Sequence, residues 1–138
     1  MREVLKHTQE LLDSGTPFVA VTLVDAKGST PQDPGSRMLV TESGRQWGTV
    51  GGGRVEAKTL AEAAEFLSES NPTHQTRLVH WSLNKDVGMT CGGSMTLFFE
   101  RHHAHPWTIA IYGPGHVAQV LIPLLLTLEC RIVCLDTR

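Results

Sequence analysis

Phe18-Val19-Ala20-Val21-Thr22-Leu23-Val24 is apolar on both alternating faces except at Thr22, which predicts a strand interior to its sheet rather than one with a wet side. Before it, Val4, Leu5, Leu11 and Leu12 share one helical face and Asp13-Ser14-Gly15-Thr16-Pro17 supplies a stop, so the chain opens with an amphipathic helix. After it, Asp25 to Ser36 is dense in Gly and Pro and predicts a loop. Arg37-Met38-Leu39-Val40-Thr41 and Gln46 to Val50 then form a hairpin about Glu42-Ser43-Gly44-Arg45. Beyond Gly51-Gly52-Gly53, the spacing of Val55, Thr59, Ala63, Phe66 and Leu67 predicts a second helix closed by Asn71-Pro72. Leu78, Val79 and Trp81 mark a third sheet region and Ser94 to Arg101 a fourth. Residues 1–104 therefore read as one mixed α/β domain.

His102-His103-Ala104-His105-Pro106 interrupts two apolar strand patterns and reads as a linker. In residues 105–138, Trp107 to Tyr112 has a buried-strand pattern, Gly113-Pro114-Gly115 a tight turn, Val117 to Leu128 a helical one, and Arg131 to Leu135 a second strand. That is one βαβ unit. Gly113-Pro114-Gly115-His116-Val117-Ala118 fits the dinucleotide pattern G-x-G-x-x-A, and Asp136 lies 23 residues beyond Gly113, where such folds place a ribose-binding carboxylate. Against this, Pro114 removes an N–H from the loop, and Pro123 is expected to break or kink the helix at about 3 kcal/mol. A mononucleotide-binding half needs three strands and only two are present. The expected fold class is α/β: a mixed α/β domain followed by the first βαβ unit of a truncated Rossmann-like domain. Such a unit is completed by the rest of a longer chain, which is the favoured expectation, by the first domain, or by a second copy in a homodimer.

At 138 residues the chain holds one domain with a real core and part of a second. A net charge of −2 gives no basic field, so no nucleic-acid partner is expected. Cys91, Cys130 and Cys134 form neither an even set nor a C-x-x-C pair, which argues against a disulfide framework or a structural zinc site. His102, His103 and His105 lack a Cys or carboxylate framework, so no metal site is assigned to them. Neither a secretory signal nor a membrane-length apolar run is present; the expectation is a cytoplasmic protein with no membrane partner.

Three glycine loops provide places where backbone N–H groups can face an anion: Gly51, Gly52 and Gly53 before the second helix, Gly92 and Gly93 beside Cys91, and Gly113 and Gly115 before His116. The first precedes a helix whose opening turn holds Glu56 as well as Arg54, so it reads equally as a phosphate cradle and as an ordinary acidic helix start. Arg37 either forks onto a phosphate or carboxylate or is a solvated charge at the start of its strand. Cys91 sits in Gly88-Met89-Thr90-Cys91-Gly92-Gly93, a polar loop, and is the cysteine most expected to be exposed and chemically active.

Taken in order, Gly28-Ser29-Thr30-Pro31, Pro34-Gly35-Ser36-Arg37-Met38, Gly48-Thr49-Val50-Gly51-Gly52-Gly53 with Glu56, Gly88-Met89-Thr90-Cys91-Gly92-Gly93 and Tyr112-Gly113-Pro114-Gly115-His116-Val117 resemble the XdhC/CoxI family of xanthine dehydrogenase accessory proteins. The resemblance implies a carrier rather than a turnover enzyme. Such a protein binds molybdenum cofactor (molybdopterin), supports its sulfuration with sulfur from a cysteine desulfurase, and delivers it to an apo xanthine dehydrogenase-type enzyme. Molybdopterin carries a phosphate, a polar pterin and a dithiolene-held metal, which call for N–H donors, an Arg and a soft ligand. The glycine loops, Arg37 and Cys91 are the residues that match those needs. Cys91 either ligates molybdenum or relays a persulfide, and thiolate chemistry permits both. A different reading, an NAD(P)-linked oxidoreductase or cofactor nucleotidyltransferase, rests on Gly113, Gly115, His116 and Asp136. A third is a noncatalytic assembly module built on the βαβ unit.

Overall fold

The computed structural model describes residues 2–69, 74–90, 92–102, 107–128 and 130–136, without the side chains of residues 45 and 46. The chain divides into two compact units, Met1–His102 and His103–Arg138. In the first, α1 (Arg2–Ser14) leads into β1 (Phe18–Lys27), β2 (Arg37–Thr41), β3 (Gly44–Gly48), α2 (Gly53–Ser68), β4 (Thr76–Ser82) and β5 (Ser94–His102). The five strands form one sheet in the order β3-β2-β1-β5-β4, antiparallel at every pairing. The apolar strand that reads as interior, β1, is the central one, with Phe18, Val19, Val21 and Leu23 buried.

One face of the sheet packs under α2, whose Val55, Thr59, Ala63, Phe66 and Leu67 are buried against Val19, Val21, Leu23, Met38, Val40, Leu97 and Phe99. The other face carries Phe18 and Leu39, covered by Leu11 and Val4 of α1. Arg101 of β5 is buried and donates from Nη2 to the carbonyl oxygens of Leu67 (2.9 Å) and Glu69 (2.8 Å). Because α2 has no basic residue in its last turn, this strand-borne cation meets the negative pole of the helix instead.

β1 continues three residues past Val24, where the sequence predicts a loop. The register with β5 shifts between Leu23 and Asp25; this bulge restores the pleat so that Ala26 packs against the core cluster. The hairpin turn is tighter than expected, and β3 begins at Gly44, whose φ of +108° reverses the chain. The expected helix stop Asn71-Pro72 lies outside the described residues.

The second unit pairs β6 (Thr108–Tyr112) with β7 (Arg131–Leu135) in parallel, with α3 (His116–Leu125) between them. α3 runs through Pro123 rather than breaking there: the proline stands two residues from the helix end, so only the last turn is affected. Two strands and one helix bury little, and Tyr112, Val117, Val120 and Leu124 are exposed. Among the described residues no helix is long and apolar enough to cross a membrane.

Candidate functional site

An all-antiparallel sheet gathers at one end the exit of β1, the exits of β3 and β4, and the entrance of β5. Three of the glycine-bearing segments singled out above are therefore neighbours: 28–31, which leaves β1; 48–53, which joins β3 to α2; and 83–93, which joins β4 to β5. Gly93 is the joint between the first and third. A Cβ on Gly93 would stand 2.4 Å from the Ser29 carbonyl oxygen and 2.8 Å from that of Lys27, and one on Gly28 would stand 3.2 Å from the Gly93 Cα. Only glycine lets two main chains approach this closely. Gly51 is similarly enclosed: its Cβ would meet Val55 Cγ1 at 2.7 Å and Pro31 Cγ at 3.2 Å.

Gly52 and Gly92 differ. A Cβ at either would have nothing within 4 Å, and neither has a positive φ, so the fold itself does not demand glycine there. Gly52 is also the N-cap of α2 and provides no side-chain cap; the Val55 N–H is donated to the Gly52 carbonyl at 3.2 Å, which leaves the N–H groups of Gly53 and Arg54 to water or a ligand. Gly53 follows with φ +53°. The bare backbone at Gly52 and Gly92, both exposed, is thus the part of the glycine assembly open to an incoming group.

The segment 83–93 is well built on either side of Cys91. Leu83 N–H donates to the Gly93 carbonyl (2.9 Å), Met89 N–H to Leu83 (2.9 Å), and Asp86 N–H to Ser82 (2.8 Å), while the Asp86 carboxylate accepts from the Ser82 N–H at 2.7 Å. Val87 and Met89 pack onto the core. Cys91 itself lies outside the described residues, between exposed Thr90 and exposed Gly92. From α2, Arg54 Nη1 donates to the Gly88 carbonyl and Lys58 Nζ to the Asp86 carbonyl at 2.9 Å. The sequence marks Arg54 only as an offset to Glu56 and leaves Lys58 unremarked; their i, i+4 spacing just after three glycines is the signal that points to them.

Arg37 is exposed at the start of β2, opposite Thr22. That is five residues back along β1 from Lys27, roughly 15 Å along the strand, so it stands near Gly48 rather than beside Gly92. Gly113, Gly115, His116 and Asp136 lie in the second unit. There the Gly113 N–H is already donated to the Leu135 carbonyl at 2.8 Å, and Pro114 has none to give. Cys130 is buried and Cys134, on β7, is exposed. Among the described residues no group of three His, Cys, Asp or Glu side chains is arranged to hold a metal.

Comparison with known proteins gives four matches. Residues 11–81 match the model of the XdhC and CoxI family, a span that holds β1, β2, β3 and α2 with the glycine segments 28–31 and 48–53, while the segment 83–93 lies beyond it. The chain is 34% identical over 122 residues to the uncharacterized protein YqeB of Escherichia coli, covering 86% of this chain and 21% of that one. It is 38% identical over 96 residues to the molybdenum cofactor insertion chaperone PaoD of the same organism, covering 70% and 30% respectively. The chain thus spans less than a third of the length of either curated relative. Its fold is similar to that of a Bacillus halodurans protein described as a xanthine dehydrogenase, with a TM-score of 0.53 and 26% identity over 67% of this chain and 29% of that one.

Proposed function

The chain belongs to the XdhC and CoxI family, and from that premise we propose that its first unit holds molybdenum cofactor as cargo for insertion into a molybdoenzyme. The observation that carries this reading is the meeting of three glycine segments around an uncapped helix start, with Gly52 and Gly92 left open. The N–H groups at the start of α2 suit the phosphate of the pterin cofactor. The exposed backbone on either side of Cys91 suits the close approach of a bulky dithiolene-held metal, for which a thiolate is the matching soft ligand. In the finer reading, Cys91 either ligates molybdenum or carries sulfur, as a persulfide from a cysteine desulfurase, toward it. The recipient is a xanthine dehydrogenase-type enzyme and the setting cytoplasmic. Similarity to the molybdenum cofactor insertion chaperone supports the cargo.

A nucleotide at Gly113 has less behind it, because the turn has already used or lost two N–H groups. The test is purification from cells that make molybdenum cofactor, with molybdenum and oxidised pterin measured on wild type and Cys91→Ala. Near-stoichiometric cofactor on wild type and at least fivefold less on Cys91→Ala is the expected result. Wild type free of both metal and pterin would overturn the proposal.

A further inference from the structure

Arg54 and Lys58 stand one turn apart on α2, and each donates to a main-chain carbonyl of the segment 83–93 rather than to a carboxylate. Neither cation forms an ion pair among the described residues. A charge-assisted bond to a carbonyl is stronger than a neutral one, and two of them at i, i+4 act on the same stretch of chain. Gly88, held by Arg54, is three residues before Cys91, a separation that spans at most about 10 Å. The Lys58 ammonium also lies over the Trp81 ring, 5.3 Å from its centroid, a cation–π contact made by the same nitrogen that donates to Asp86.

We propose that Arg54 and Lys58 are positioning residues: they strap the chain at Asp86 and Gly88 to α2 and thereby limit how far the loop that carries Cys91 in sequence can move from the open helix start. This rests on the reading that Cys91 addresses cargo bound at that helix start. The apolar anchors Val87 and Met89 hold the base of the segment on the core. The two cations instead tie its outer carbonyls to the same helix that presents Gly52 and Gly53. The Asp86 and Gly88 carbonyls and the N–H donors of the helix start are in this way held by one element.

The test places a nitroxide on Cys91 of the full chain in a Cys130→Ser, Cys134→Ser background, and reads its mobility by electron paramagnetic resonance together with exchange of the Met89 amide hydrogen. In Arg54→Ala the label is expected to tumble at least twofold faster and the Met89 amide to exchange about fivefold faster. Arg54→Lys, which retains a donor cation, is expected to restore most of both. Lys58→Met removes the donor to Asp86 together with the cation over Trp81, so it carries the same expectation should Arg54→Ala fail to fold. Unchanged mobility and exchange in both variants would overturn the strap, as would an Arg54→Lys protein as loose as Arg54→Ala. Neither readout involves cofactor, so loss of the strap and absence of bound molybdenum are separate outcomes.

Discussion

Gly92 and Gly93 are adjacent in sequence and opposite in surroundings, and alanine at each should separate packing from ligand access. A methyl on Gly93 would sit 2.4 Å from the Ser29 carbonyl oxygen, about 1 Å inside the 3.4 Å at which ordinary contact begins. Both nearby atoms are main chain, so no side chain can rotate away. Either the exit of β1 moves outward, straining its Lys27–Ser94 pairing with β5, or Gly93 moves and stretches the bond its carbonyl accepts from Leu83. Overpacking of this kind costs about 1–3 kcal/mol, and a weakened backbone bond adds about 1 kcal/mol. Gly93→Ala should therefore lose about 2–4 kcal/mol, a fall of roughly 10 °C or more in melting temperature for a unit of this size. Gly92→Ala, with open space around it, should stay within about 0.5 kcal/mol of wild type. Urea and thermal unfolding in a Trp107→Phe background would read the first unit through Trp47 and Trp81. A Gly93→Ala protein melting within 2 °C of its parent, or equal damage at both positions, would refute the close approach of the two main chains.

Arg101→Met should destabilise the first unit by about 1–2 kcal/mol in urea unfolding, because the last carbonyls of α2 lose the Nη2 donor and Phe66 loses the guanidinium over its ring. An acid effect is expected at α1. The hydrogen bond from His7 to Glu10, at 2.6 Å, is the main cause holding the Glu10 carboxyl below its ordinary value. A carboxylate with a depressed folded value contributes stability that is present above its unfolded pKa and is lost as pH falls through the folded one. Glu10→Gln should accordingly be less stable than wild type near neutrality and converge with it in acid, as measured by unfolding across pH 2 to about 7; a gap that persists in acid would contradict this pairing.

Most of the element order was legible because each segment declared its own period: alternation or continuous burial in β1, β2 and β5, and a 3.6-residue stripe in α1 and α2. Where reading failed, tertiary contact had overridden local pattern. Asp25 and Lys27 look like loop residues, yet the bulge at Val24 lets them finish a strand while Ala26 meets the core. The glycine loops were legible as loops but not as neighbours, since their meeting is a property of the sheet order, which pairs residue 27 with residue 94. Nor does composition distinguish Gly93, required by two carbonyl oxygens, from Gly92, which has no neighbour. For Arg54 and Lys58 the i, i+4 spacing marks the donors, but their acceptors are carbonyls remote in sequence, and a main-chain acceptor leaves no mark on residue identity.

The central strand acquires its two partners at very different times during synthesis. β2 follows β1 after a short connection and can pair as soon as it leaves the ribosome, whereas β5 is the last strand of the unit to emerge. Until then a nascent chain displays the open edge of its most apolar strand, a template for wrong pairing with other chains. Pausing of translation before Ser94 should thus be an aggregation-prone moment in the making of this unit, and the glycine assembly is formed only after it has passed.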